Sequence, residues 1–207
     1  MTGDFRITLA YLKELGACRD GQREFRKAFP DGAGYQETLD KCADAGRVDF
    51  GKWLLDKLGP TDDVRIYQEP IEDRNKVIIF AGRIEFEADI NVKHIFAGCG
   101  IEAGLGIKAG CGIKAGCGIE AGWGIEAGWG IEAGWGIEAG YDIEAGWGYG
   151  IFAGIRVKIE LWSSLAIVEA NTKPTNLISG HWVEPNAQKN GGSYVETNYT
   201  TNPKRRV

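Results

Sequence analysis

Ile119-Glu120-Ala121-Gly122-Trp123-Gly124 is followed by Ile125-Glu126-Ala127-Gly128-Trp129-Gly130, and then by Ile131-Glu132-Ala133-Gly134-Trp135-Gly136. The same unit, Ile-Glu/Lys-Ala-Gly-x-Gly, extends from Ile95 to Gly148. Isoleucine returns at 95, 101, 107, 113, 119, 125, 131, 137 and 143 without a slip. A unit this short is too small for a helical hairpin or a propeller blade. It is one side of a coil in a solenoid. Alternation along a strand puts Ile and Ala inward and Glu or Lys outward. The Gly-x-Gly that follows suits a corner, where glycine accepts positive φ at little cost.

Two coil sizes fit this period. Three units make an 18-residue triangular coil, and two make a flattened 12-residue coil. The x position is Cys99, Leu105, Cys111, Cys117, Trp123, Trp129, Trp135, Tyr141 and Trp147. Strict alternation points it inward, yet a narrow interior has no room for stacked Trp. Either the coil widens toward the C-terminus, or the aromatics lie outside over a corner.

Outward from this core, the Ile frame continues in degenerate form. Before it stand Ile79-Phe80-Ala81-Gly82, Ile84-Glu85-Phe86 and Ile90-Asn91-Val92. After it come Ile151-Phe152-Ala153-Gly154 and Ile155 to Leu161, which read as further alternating strands. Alternation fades near Ala170. The N-terminal stretch is instead helical. Phe5, Leu9, Leu12 and Leu15 share one face before a stop at Gly16. Phe25, Ala28 and Phe29 precede Pro30-Asp31-Gly32. Leu39, Cys42 and Ala43 precede Gly46. Asp49 is placed to cap a fourth helix carrying Trp53, Leu54, Leu55 and Leu58. The expected fold is α+β: a helical cap domain over 1–62, a β-solenoid over 63–170 and an irregular C-terminal tail over 171–207. So small a bundle is marginal alone, which places it on the end of the solenoid.

The net charge of −5 is unevenly spread. Between Ile95 and Gly148, seven acids (Glu102, Glu120, Glu126, Glu132, Glu138, Glu144 and Asp142) face only Lys108 and Lys114. The chain ends in the basic Lys204-Arg205-Arg206. No apolar run follows Met1 and none approaches the ~18 residues of a membrane span. The expectation is a cytoplasmic protein with no membrane association. Five cysteines, an odd number, then read as free thiols, with Cys18 and Cys42 as small core residues.

Stacked carboxylates repel, a cost that folding alone does not require. They keep a solenoid face soluble and unpaired, or they recognise a basic surface. A rod of regularly spaced carboxylates carries a field like that of a nucleic-acid backbone. The candidate partner-binding residues are therefore Glu102, Glu120, Glu126, Glu132, Glu138 and Glu144, with Trp123, Trp129, Trp135 and Trp147 as an aromatic contact set.

Enzyme signals are thin. His94 and His181 lack acidic or thiol neighbours at a motif spacing. Cys99, Cys111 and Cys117 are spaced by the repeat, not by metal geometry. With 18 residues per coil, Cys99 and Cys117 would stand one coil apart, within reach of a disulfide. The Gly-x-Gly strings lead into no helix, so they are not dinucleotide fingerprints. No catalytic residue, cofactor or metal is expected. A hexapeptide-type acyltransferase with His94 at a coil junction is the enzymatic alternative.

The repeat resembles hexapeptide-repeat β-helix proteins, but with Glu or Lys after the aliphatic position where those carry Gly. The Ile-Glu/Lys-Ala-Gly-Trp/Cys-Gly array also looks like that of short-repeat solenoid accessory proteins of phages and prophages. Leu15-Gly16-Ala17-Cys18, then Phe25 and Phe29-Pro30, are similar to the opening of such proteins, and the resemblance covers most of residues 12–160. It implies a small phage-type protein that inhibits a host protein or ribonucleoprotein complex, in the manner of an anti-CRISPR protein. Direct nucleic-acid contact is expected only through the basic tail. A structural spacer or homo-oligomerising module of a virion is the second expectation.

Overall fold

The computed structural model describes residues 6–185. Phe5, Tyr194, Tyr199 and the basic Lys204-Arg205-Arg206 lie outside the described residues. The repeat forms a three-sided parallel β-solenoid of about seven turns. The first face stacks seven strands: Val64–Tyr67, Arg83–Phe86, Ile101–Ala103, Ile119–Ala121, Ile137–Ala139, Ile167–Glu169 and His181–Val183. The second and third faces share two long strands, Ile71–Phe80 and Ile90–Ala97, which bend around their common edge. Ile90–Ala97 pairs with Ile107–Ala109 through its first half and with Ile113–Ala115 through its second.

Each residue of the regular coils pairs with the one eighteen positions on. Ile101 meets Ile119, Ile119 meets Ile137, and Ile107 meets Ile125. The three-unit coil is thus the one adopted. Its interior is narrow and dry, filled by the Ile column and by Ala103, Ala109, Ala115, Ala121, Ala127, Ala133 and Ala139, all buried. The backbone ladder does not stop at the corners. Gly122 N–H donates to Ala103 O at 2.9 Å, and Ile119 N–H donates to Gly136 O at 3.1 Å.

This continuity explains the glycines, and not by the positive φ that the sequence suggests. Within the regular coils they hold ordinary φ, and left-handed values appear only outside them, at Gly148 and beyond or among the helices. The constraint is approach. In the units from Gly116 onward, a Cβ on the first glycine would press into a carbonyl oxygen of the preceding coil, as Gly122 would into Gly104 O, whereas Gly104 and Gly110 have room. The second glycine has room in the earlier coils and tightens from Gly124 onward. A Cβ at Gly118 finds its nearest neighbour, Gly136 O, at 3.5 Å. Asp142 occupies that second slot without disturbing the stack.

Four helices precede the solenoid: α1 (Leu9–Glu14), α2 (Arg19–Ala28), α3 (Tyr35–Asp44) and α4 (Val48–Leu58). Gly16, Gly46 and Gly59 end α1, α3 and α4 with φ of 82°, 65° and 75°. Two local expectations are corrected. Asp49 lies inside the first turn of α4, where it bonds Arg47, and does not cap it. Cys18 is exposed and caps α2, its sulfur accepting from Gly21 N–H at 3.4 Å, whereas Cys42 is buried as expected.

The bundle covers the open edge of the first coil. The Gln36 amide donates to Ile79 O at 2.9 Å and accepts from Ala81 N–H at 2.9 Å, doing for the edge strand what another strand would do. Ile79, Ala81 and Phe96 turn outward from the third face and share one apolar cluster with Leu39, Leu54 and Leu55. The cap therefore grips both the end and one side of the solenoid.

The other end is less regular. Ile155 to Leu161 do not continue as strand. Gly154 turns left-handed at φ 75°, and the chain leaves the coil through a 3-10 turn, Ile159–Leu161, and a short helix, α5 (Trp162–Leu165). It rejoins the first face at Ile167–Glu169. Pairing then runs past Ala170 through Leu177–Ser179 and His181–Val183.

Gly122→Ala should lower Tm by several degrees. Overpacking costs about 1–3 kcal/mol, and each kcal/mol moves Tm by about 2–4 °C in a chain of this size. Gly118→Ala should leave Tm within about 2 °C. Thermal unfolding of the two variants side by side checks the carbonyl-approach argument.

Candidate acidic and aromatic interface

The outward position of each unit forms one column per face, and the three columns differ in charge. On the first face Glu85, Glu102, Glu120, Glu138 and Glu169 stand in register, each beside the next. Arg83 neutralises the N-terminal end, at 2.9 Å from Glu85 and 3.1 Å from Glu102. Glu120, Glu138 and Glu169 have no cation within salt-bridge distance in the described residues. On the second face Glu126 is paired with Lys108 at 2.6 Å, and Glu144 follows it. On the third face Glu132 lies 3.6 Å from Lys114, which also reaches Asp56 of α4 at 3.3 Å. The six candidate carboxylates thus divide three, two and one among the faces, and only the first face holds an unneutralised run.

Glu85 and Glu169 extend this run beyond the candidates named from sequence. Glu85 was legible, since Ile84-Glu85-Phe86 keeps the Ile-Glu frame. Glu169 was not, because Val168 takes the Ile position there, opposite Ile137, after the excursion has reset the count.

Like charges at the ~4.8 Å spacing of parallel strands oppose ionisation. The Glu138 carboxyl is pushed above its ordinary value, first by partial desolvation between the flanking coils and then by Glu120 and Glu169.

The aromatic residues lie outside the coil, at corners, and they too are divided. Between the first and second faces, Leu105, Trp123 and Tyr141 form a ridge; Trp123 and Tyr141 are tilted against one another at 6.4 Å and each is 61% exposed. Between the second and third faces, Trp129 stacks on Tyr149 at 6.0 Å and meets the edge of His94 at 5.4 Å. Trp147 does not continue this stack. Ile143 and Ile151 are eight residues apart instead of six, so Tyr149 takes the slot over Trp129 and Trp147 is fully exposed. Trp135 sits at the remaining corner, in line with Cys99 and Cys117.

His94 is buried at the bend of Ile90–Ala97. Its Nδ1 accepts from Gly112 N–H at 3.2 Å, and burial, then Lys93, hold its pKa below the ordinary value. The ring is a neutral corner support. His181 is exposed on the last strand. Among the described residues no three His, Cys, Asp or Glu side chains converge as metal ligands. No helix of the described residues is long and apolar enough to cross a membrane.

The contiguous surface left by this geometry is the first face with its Trp123–Tyr141 ridge. Tyr141 follows Glu138, and Trp123 follows Glu120, by three residues on the same coil. Residues 1–58, the helical segment, match the family described as the YdhT N-terminal domain. That likeness stops before the solenoid begins. No curated protein and no solved structure gives a significant match to the chain.

Because the folded protein holds the Glu138 proton more tightly than the unfolded chain does, this group adds stability at low pH and loses it as pH rises through the elevated folded value. Glu138→Gln should therefore raise Tm at pH 7. The gain should vanish below pH 4.5, the ordinary value, where the native carboxyl is protonated as well. Thermal melts at the two pH values check this.

Proposed function

We propose that this protein is a non-enzymatic inhibitor of a host complex, and that the target is a nucleic-acid-handling defence effector. Its first solenoid face occupies a groove built for a nucleic-acid strand. The observation that carries the reading is the in-register column Glu85, Glu102, Glu120, Glu138 and Glu169, neutralised only at its N-terminal end.

The magnitudes favour mimicry of one strand over mimicry of a duplex. The column offers one charge per ~4.8 Å of axis, against one per ~3.4 Å along a single DNA strand and one per ~1.7 Å for both strands together. The rigid ladder holds these charges in place, so a partner meets them already ordered and less side-chain entropy is lost on binding. Trp123 and Tyr141 add flat apolar area beside the acids. That pairing suits a groove lined by arginine and aromatic side chains, which stack on bases in its normal work.

One observation favours a second reading, a structural module of a virion. The excursion after Gly154 exposes Ile155, Ile159, Leu161 and Leu165, with Ile159 at 93%. Such a patch suits self-association.

The test is capture from a nuclease-treated bacterial lysate, with light scattering on the same sample. The wild-type chain should retain a nucleic-acid-handling complex, and a single-stranded oligonucleotide should displace it. Glu120→Gln/Glu138→Gln/Glu169→Gln should lose the complex. Glu126→Gln/Glu132→Gln/Glu144→Gln, which removes three charges from the other faces, should keep it. Equal capture by both triple variants would sink the first-face assignment. A stable homotrimer with no captured complex would move the function to the structural reading.

A further inference from the structure

The corner between the third and first faces carries Cys99, Cys117 and Trp135 on successive coils. Cys117 N–H donates to Cys99 O at 3.0 Å, so the two cysteines are neighbouring rungs of one ladder. Their sulfurs lie 2.8 Å apart, and both side chains are partly exposed. A disulfide bond is about 2.05 Å long and spans Cα atoms about 4.4–6.8 Å apart, a range that contains the ~4.8 Å separation of parallel strands. Closing it requires no change of register.

Packing does not demand sulfur here. The equivalent corner slots of other coils hold Leu105, Trp123, Trp129 and Tyr141. The remaining cysteines lack such a partner. Cys111 has Lys93 and Trp129 as its rungs, and Cys42 is buried with its thiol pushed up to about 12 by desolvation.

We propose that Cys99 and Cys117 are a reversible disulfide site, oxidised by peroxide, that staples two successive coils of the solenoid. Cys99 is the attacking member. The hydrogen bond shared with Cys117, then Gly100 N–H and the Arg83 charge beside Cys99, outweigh burial and lower the pKa of Cys99, while its partner Cys117 is pushed up. The Cys99 thiolate attacks one peroxide oxygen and the O–O bond breaks. The leaving hydroxide takes up a proton as water, and Cys99 becomes a sulfenic acid. Cys117 then attacks that sulfur. The S–O bond breaks, and the hydroxyl leaves with the Cys117 proton as a second water. Two thiols have given two electrons, and one peroxide has become two waters. The closed loop of eighteen residues ties the coil of Glu102 to that of Glu120, and this holds whether or not the first face is the binding face.

The test uses the full chain and hydrogen peroxide. Peptide mass spectrometry should find Cys99 joined to Cys117 within one chain, and thiol titration should fall from five to three. Tm should rise by several degrees and return on treatment with dithiothreitol. Cys111→Ser should behave as wild type. Cys117→Ser should show no rise and should leave Cys99 as a sulfenic acid that reacts with dimedone. The proposal is overturned if Cys99 and Cys117 stay reduced while exposed Cys18 is oxidised. Linkage between chains in place of the internal bond, or a Tm unmoved by the bond, would overturn it equally.

Discussion

The eighteen-residue register is the constraint from which the rest follows. Every rung of one coil bonds to the same rung of the next, at the corners as well as along the faces. The spacing this sets, ~4.8 Å, leaves no volume between a corner carbonyl and the residue above it. From Gly116 onward only glycine fits there, so the first glycine of those units is a packing requirement. The same register carries the Ile and Ala columns, since a slip of one residue would turn each Ile outward and each Glu into the dry interior. Folding energy and sequence monotony have one cause. A narrow coil that must match its neighbour at every position has few residue types to choose from.

Register also turns repetition in sequence into concentration in space. A carboxylate every eighteen residues is dilute along the chain but becomes a column of charge along the axis. Whether that column is neutralised depends on single positions. Lys108 and Lys114 put a cation beside Glu126 and Glu132 on the second and third faces. The matching position on the first face is Glu102, and the only compensation is Arg83, one coil earlier. Burial between the flanking coils, and then the charges of Glu120 and Glu169, push the Glu138 carboxyl above its ordinary value. Lysine at position 102 would put a cation beside Glu120, as Lys108 does beside Glu126. The acidic run is thus separable from the fold.

Much of this was legible from the period. The six-residue spacing of Ile marks the solenoid, and the 3–4 spacing within sets such as Leu9, Leu12 and Leu15, or Leu39, Cys42 and Ala43, marks the helices. What stayed hidden depended on lengths that the repeat does not encode. Coils of two or three units share one hydrophobic pattern, and only strand pairing distinguishes them. The aromatic slot looked inward under strict alternation, but the corner breaks alternation and turns Trp123 and Tyr141 out. The two extra residues around Trp147 moved Tyr149 over Trp129, a shift that reads in sequence as noise. Ile155 to Leu161 alternates like a strand, yet Gly154 has already taken the chain off the coil. Asp49 looks like a cap because aspartate so often is one, but the helix begins a residue earlier, and its side chain pairs with Arg47 instead.

The helical cap decides which solenoid surfaces stay exposed as well as how the edge is paired. An open first coil would present the unpaired backbone of Ile71–Phe80 to any other strand, and the Gln36 amide closes that edge at Ile79 and Ala81. In gripping the side as well, the bundle draws Asp56 to Lys114 and Arg156, at 3.3 and 3.5 Å, and covers the early third face. On the second face Lys108 neutralises Glu126. What remains open, acidic and bordered by aromatic rings is the first face with its Trp123–Tyr141 ridge. The contacts that protect the solenoid from its own edge are thus the ones that cover its third face and leave the first face exposed.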